Sequence, residues 1–208
     1  MSCHATIIEY ITSLPAGAWF ATQQVLNFGS REAIDQTLYR LVKCGYLTRI
    51  AWGVFTLRIK EQIYEPLAVA KYKAKIFKKK ASIHGLDLAK QLGLTEAETT
   101  QLLFCVHGVS SSFQSIKREI TLKSLSARKI ALEGTRLGET ISALWFLGRD
   151  KCDEHSVKLA TKALNDDELY ELTQSAHRMP GWLMKLVRTT IGSQKKSNYS
   201  SESLYPTP

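Results

Sequence analysis

The sequence predicts an α+β protein, and three observations predict it. Up to residue 57, short amphipathic helices alternate with β-rich stretches, the pattern of a small module with its own sheet. Leu102, Leu103, Phe104, Cys105 and Val106 form a dense apolar run, short enough for a buried strand. From Leu137 to Val187 the apolar spacing is helical, so a smaller-sheet, helix-rich C-terminal domain follows the first module. The 208 residues can bury a sizeable core and fit one or two domains. No stretch reaches the roughly 18 apolar residues of a membrane span, and no basic region followed by an apolar core marks a secretory signal.

The first element is a helix that carries Ile7, Ile8, Ile11 and Leu14 on one side and stops at Pro15 and Gly17. Trp19 and Phe20 make a short strand. A second helix, about Thr22 to Asn27, turns Val25 and Leu26 inward, and Phe28-Gly29 forms the turn after it. Ser30 caps a third helix, with Glu32 in its first turn and Gly45 as its left-handed stop. Ile34, Thr37, Leu38, Leu41 and Val42 recur on its inward side. Two β-rich runs, Tyr46 to Ile50 and Val54 to Leu57, are parted by Ala51-Trp52-Gly53 and read as a hairpin. Helix, strand, helix, turn, helix, hairpin is the order of a winged helix-turn-helix, whose third helix lies in the major groove of DNA.

The outward face of that third helix fits this role. Arg31, Gln36, Tyr39, Arg40 and Lys43 all carry donors suited to phosphates or base edges, and Ser30 stands at the helix entrance. A solvated face would also be polar; the donor character is what favours nucleic acid. Arg49 and Trp52 sit on the hairpin, placed for backbone or minor groove. Asp35 interrupts the set, either as a partner of Arg31 or Arg40 or as a filter against some base pairs. The net charge of +9 points the same way. Residues 1–60 carry six Lys or Arg against three acids and residues 61–80 six against two, whereas 81–150 and 151–208 carry eight against seven each. A basic half beside a nearly neutral one suits a polyanion-binding module joined to something else. The basic segments lack the apolar opposite face that a membrane surface requires.

The organisation expected is a winged helix-turn-helix over 1–62, a basic linking helix over 63–80, an α+β domain over 81–191 and a disordered tail over 192–208. In the linking helix Pro66 suits the first turn, Leu67, Ala70, Ala74 and Phe77 form a packing stripe, and Lys71, Lys75, Lys78 and Lys79 share another arc, either solvated or offered to phosphate. Farther on, Leu86, Leu88, Ala89 and Leu92 mark a short helix ended by Gly93, and Ile116 to Thr121 and Ala127 to Leu132 are strands expected to pair with 102–106. Helices then follow with Leu137, Ile141, Leu144 and Trp145; with Val157, Ala160 and Leu164 behind an Asp153 cap; behind an Asn165–Glu168 capping box; and after Pro180.

Catalytic patterns are not found. The five histidines are isolated, with no spacing that sets two metal ligands on one helix face. Asp166-Asp167-Glu168 suits a helix N-terminus, Ser110-Ser111-Ser112 reads as a loop, and neither a phosphate-binding loop nor a nucleophile elbow occurs. The expectation is therefore a non-enzyme with neither cofactor nor metal. Nuclease sites built from scattered acids leave no such pattern. Cys3, Cys44, Cys105 and Cys152 stand far apart, as thiols of a reduced, cytoplasmic protein do.

A run of motifs gives a more specific resemblance: Leu14-Pro15-Ala16-Gly17, Gly29-Ser30-Arg31, the Ala-Ile-x-x-x-Leu-x-Arg-Leu-x-x-x-Gly-x-Leu-x-Arg series from Ala33 to Arg49, and Trp52-Gly53-Val54-Phe55. Residues 13–57 resemble the N-terminal winged helix of AbiEi-type abortive-infection antitoxins and related mobile-element proteins. Where that family often has Arg-Gly-Val-Tyr at the wing, this chain has Trp52-Gly53-Val54-Phe55. Ile83-His84-Gly85 through Leu94 and Met179-Pro180-Gly181-Trp182 continue the similarity more weakly. The resemblance implies an autorepressing antitoxin that binds a double-stranded operator and opposes a nucleotidyltransferase toxin through its second domain, without a stable toxin complex. Repressors usually bind inverted half-sites about 34 Å apart, but no heptad pattern announces a dimer seam. A stand-alone regulator of a mobile element and a nucleic-acid-processing enzyme are the alternatives.

Overall fold

A computed structural model describes residues 2–58, 64–116, 118–130 and 134–202. It is an α+β protein in two compact units, one made of Met1–Ala81 with Gln101–Ser124 and the other of Ser82–Thr100 with Leu125–Pro208. The predicted strand at 102–106 therefore belongs with the N-terminal part of the chain, not with a separate domain from 81 onward. The expected boundary at 62 and 63 lies outside the described residues.

The first unit begins with α1 (Cys3–Ser13), β1 (Trp19–Ala21), a 3-10 helix (Thr22–Phe28), α2 (Arg31–Lys43), β2 (Leu47–Ala51) and β3 (Val54–Leu57). β3 lies between β1 and β2 in an antiparallel sheet, with Phe20 opposite Phe55 and Arg49 also opposite Phe55. Ile7, Ile11, Phe20, Val25, Ile34, Leu38 and Phe55 share one core, and each fully buried side chain of this kind contributes about 1.5–3 kcal/mol. Leu26 departs from expectation: it is exposed, while Phe28 packs on the core. A 3-10 helix repeats every three residues, so Val25 and Phe28 share a side and Leu26 turns outward.

Local signals set both ends of α2. The Ala33 amide donates to the Ser30 hydroxyl at 3.3 Å, and Gly45 turns the chain with φ +76°. Gly45→Ala is expected to lower stability by about 1–2 kcal/mol, the strain of a left-handed L-residue, read as amide-exchange protection lost in α2 and β2. Unchanged protection there would show that the turn relaxes freely.

The rest of the unit is α3 (Pro66–Ile76), β4 (Ala81–Ile83), on which the chain leaves, and the strands β5 (Leu102–His107), β6 (Ser111–Gln114) and β7 (Glu119–Leu125). β7 lies between β5 and β6, and α3 packs on β5. Val69, Ala70 and Ala74 are the buried residues of α3, with Leu67 only partly covered. Phe77 is not part of that stripe: the helix ends at Ile76, Lys78 takes φ +55°, and Phe77 is left exposed.

Two expectations fail here for reasons of local chemistry, one of a loop and one of a strand. Ser111 and Ser112 lie in a strand, paired with Leu122 and Thr121, because Phe113 alternates inward between polar neighbours. The strand expected over Ile116 to Thr121 does form beside β5, displaced to Glu119–Leu125 as β7, while Ile116 falls before it and is exposed. Ala127–Ile130 is the helix α5, as its Ala, Arg and Lys content favours, while Leu132 lies outside the described residues.

The second unit is helical: α4 (Gly85–Gln91), α5, α6 (Arg136–Leu147), α7 (Glu154–Thr161), α8 (Asp166–Gln174), a 3-10 turn (Ala176–Arg178) and α9 (Gly181–Glu202). Leu137, Ile141, Leu144, Val157, Leu172, Leu183 and Val187 build its core. The predicted caps form: the Ser156 amide donates to Asp153 at 2.8 Å, and the Glu168 amide to Asn165 at 2.8 Å. Burial, with the Asp153 charge beside it, pushes the Cys152 thiol up to about 11, so it stays protonated and unreactive at neutral pH. Arg128 of α5 donates to the carbonyls of His177 and Met179 and lies over the Trp145 ring. α9 runs to Glu202, so the tail expected to be disordered from residue 192 continues as helix; residues 203–208 lie outside the described residues. Among the described residues no helix is long and apolar enough to cross a membrane.

Candidate functional site

The inward side of α2 is spent on the core, which leaves Arg31, Gln36, Tyr39, Arg40 and Lys43 exposed on its other side. Tyr39 is 57% exposed although it is aromatic. Ser30 is also exposed, but its hydroxyl is engaged in capping. Asp35 is the partner of Arg31 and not of Arg40: its carboxylate accepts from the Arg31 Nε at 2.8 Å. Both groups are solvated, so this i, i+4 pair holds by only a few tenths of a kcal/mol, and an anionic ligand can displace Asp35 from the guanidinium.

The hairpin contributes from the other side. Its two-residue turn, Trp52-Gly53, pairs Ala51 with Val54 and projects Trp52, which is 71% exposed. Arg49 is half-buried, its guanidinium 5.2 Å from the Trp52 ring centre and 5.7 Å from that of Phe55. Stacking of this kind fixes the charge in place while its edge donors stay available. The turn itself is braced. The Lys73 ammonium donates to the Trp52 carbonyl, and the Ser115 hydroxyl donates to the Ile50 carbonyl at 3.0 Å.

These pieces surround one cleft of about 630 Å³. Arg31, Asp35 and Tyr39 come from α2, Arg49 and Trp52 from the hairpin, and Lys73 and Phe77 from α3, over a base that includes the buried Leu38 and Phe55. Of the sequence-predicted residues, Arg31, Tyr39, Arg49 and Trp52 are thus brought together. Gln36, Arg40 and Lys43 stay on the exposed side of α2 outside the cleft lining, and Ser30 lies at the helix entrance.

Lys73 and Phe77 were missed. Val69, Lys73 and Phe77 are spaced by four, a stripe adjoining Ala70 and Ala74, so the signal was present; the eye follows the exposed lysine arc instead. Burial holds the Lys73 ammonium below the ordinary lysine range. Among the described residues, no group of His, Cys, Asp and Glu is dense enough to hold a metal ion.

A family model described as a family of unknown function (DUF6088) matches residues 6–172. No curated protein matches the chain.

Proposed function

The chain belongs to the DUF6088 family, whose function is unknown; starting from the site itself, we propose that it is a sequence-specific, double-stranded DNA-binding transcriptional regulator built on an N-terminal winged helix-turn-helix. The observation that carries this reading is the pairing of an exposed, donor-rich side of α2 with a braced hairpin that projects Trp52 and Arg49 beside it.

In this reading α2 enters the major groove. Gln36 and Arg40 address base edges, since an amide suits adenine and a guanidinium suits guanine. Arg31, Lys43 and Ser30 contact phosphates, while Arg49 and Trp52 meet the backbone or minor groove. Arg31 reaches its phosphate by exchanging Asp35 for it. The role is binding and not catalysis, in the cytoplasm, with the operator DNA as partner. The resemblance to AbiEi-type antitoxins extends the proposal to an autorepressor of a toxin–antitoxin operon, opposing a nucleotidyltransferase toxin without a stable complex.

Selection from a random pool of duplexes tests the reading. Repeated capture by the full chain is expected to enrich one sequence, with protection of one major-groove face of it. A pool that stays random after several rounds would leave sequence specificity without support.

A further inference from the structure

A second cleft adjoins the first and, apart from the shared Trp52, has no part in the duplex reading. It is about 460 Å³ in volume and lies among the C-terminal end of α3, β5 and the β6–β7 hairpin. Trp52, Lys73 and Phe77 line both clefts, so the two meet along that ridge. Phe113 and Lys79 also line it, and the Lys73 ammonium lies 5.9 Å from the Phe77 ring centre and 5.7 Å from that of Phe113. Among the described residues no acid lines this second cleft.

One backbone feature places Lys79 there. Gly108 has φ +110°, and a Cβ on it would stand 3.2 Å from both Cε and Nζ of Lys79. A side chain at 108 would be strained and would also crowd the lysine, so glycine gives Lys79 room to lie across the strand end.

Trp52 is 71% and Phe77 54% exposed, large rings left in water in a cleft that Lys73 and Lys79 also line. Rings alternating with positive charge form a surface on which bases stack while phosphates are neutralised. An aliphatic peptide would leave the lysines uncompensated, and a duplex is too wide to enter clefts of this size. We propose that the two clefts form one groove for single-stranded nucleic acid. One base stacks on Trp52, the next lies against Phe77 and Phe113, and the linking phosphates sit by Lys73 and Lys79. The inference shares Trp52 with the duplex reading but rests on Phe77, Phe113 and Lys79, which that reading does not need.

Fluorescence anisotropy of the full chain with labelled oligothymidylate and oligouridylate of eight nucleotides provides the test, with a random duplex measured in parallel. Binding of the single strands is expected. Phe77→Ala is expected to weaken it about tenfold or more, the loss of one stacked base, and Lys79→Ala by a smaller factor that shrinks as salt rises. Gln36→Ala, which is exposed on α2, is expected to leave single-strand affinity unchanged. Single strands that fail to bind where the duplex binds would overturn this inference and leave the duplex reading standing. So would affinity unaltered by Phe77→Ala and Lys79→Ala, or an acidic tyrosine-containing peptide that displaces the oligonucleotide at equal concentration. Single-strand binding without duplex binding would keep the groove and overturn the regulator instead.

Discussion

Gln36→Ala and Arg40→Ala are each expected to reduce the preference for the selected duplex over random duplexes by about 1–3 kcal/mol, the range for a lost bidentate base contact. Both side chains are exposed on α2 and neither contributes to a core, so the loss falls on recognition and leaves folding intact. The two are four residues apart on one helix face, so their effects need not add, and a double-mutant cycle would measure the coupling. Affinity for random duplexes responds differently. Arg40→Ala is expected to lower it slightly through the lost charge, and Gln36→Ala to leave it nearly unchanged. Equal losses on specific and random duplexes would move both residues from base reading to backbone contact.

Phe20→Ala is expected to have the largest effect on folding, about 3–5 kcal/mol. Phe20 is fully buried, stacked on Phe55 with ring centres 5.6 Å apart and met edge-on by Tyr10 at 6.0 Å. It joins β1 to β3 and both to α1, so a cavity there loosens the base on which α2 and the hairpin are held. In a chain of two compact units the two-state approximation does not hold in general, so a single midpoint would blur the effect. Amide exchange resolved along the chain is the suitable readout, with protection lost first in α1, α2 and β3. A loss below about 1 kcal/mol would mean that Tyr10 and Phe28 close over the gap.

The parts of the fold legible in the sequence are those set by neighbours along the chain. Ser30, Gly45, Asp153 and Asn165 are read correctly because a cap or a left-handed turn is decided within four or five residues. The α2 face is legible because its buried and exposed sides follow a helical repeat without interruption. Leu26 is misplaced because a 3-10 turn changes the period from 3.6 to 3, which no single residue announces. Ser111 and Ser112 are taken as loop because small polar residues signal turns, yet on the edge strand β6 only Phe113 needs to face inward.

The return of Gln101–Ser124 to the first unit is long-range, since α3 offers Val69, Ala70 and Ala74 to strands about thirty or more residues later. No local pattern carries that information. At the candidate site the same division holds. The α2 and hairpin residues were visible in order, while Lys73 and Phe77 reach the cleft only because α3 packs where it does.

The central claim is that the side of α2 bearing Tyr39 and Lys43 is where duplex DNA rests, and the dependence of affinity on salt tests it most directly. With the selected duplex, log affinity is expected to fall linearly with log salt at about −0.9 per phosphate contacted, and Lys43→Ala is expected to flatten that slope by roughly one unit. An affinity indifferent to salt, or a slope that Lys43→Ala leaves unchanged, would contradict it.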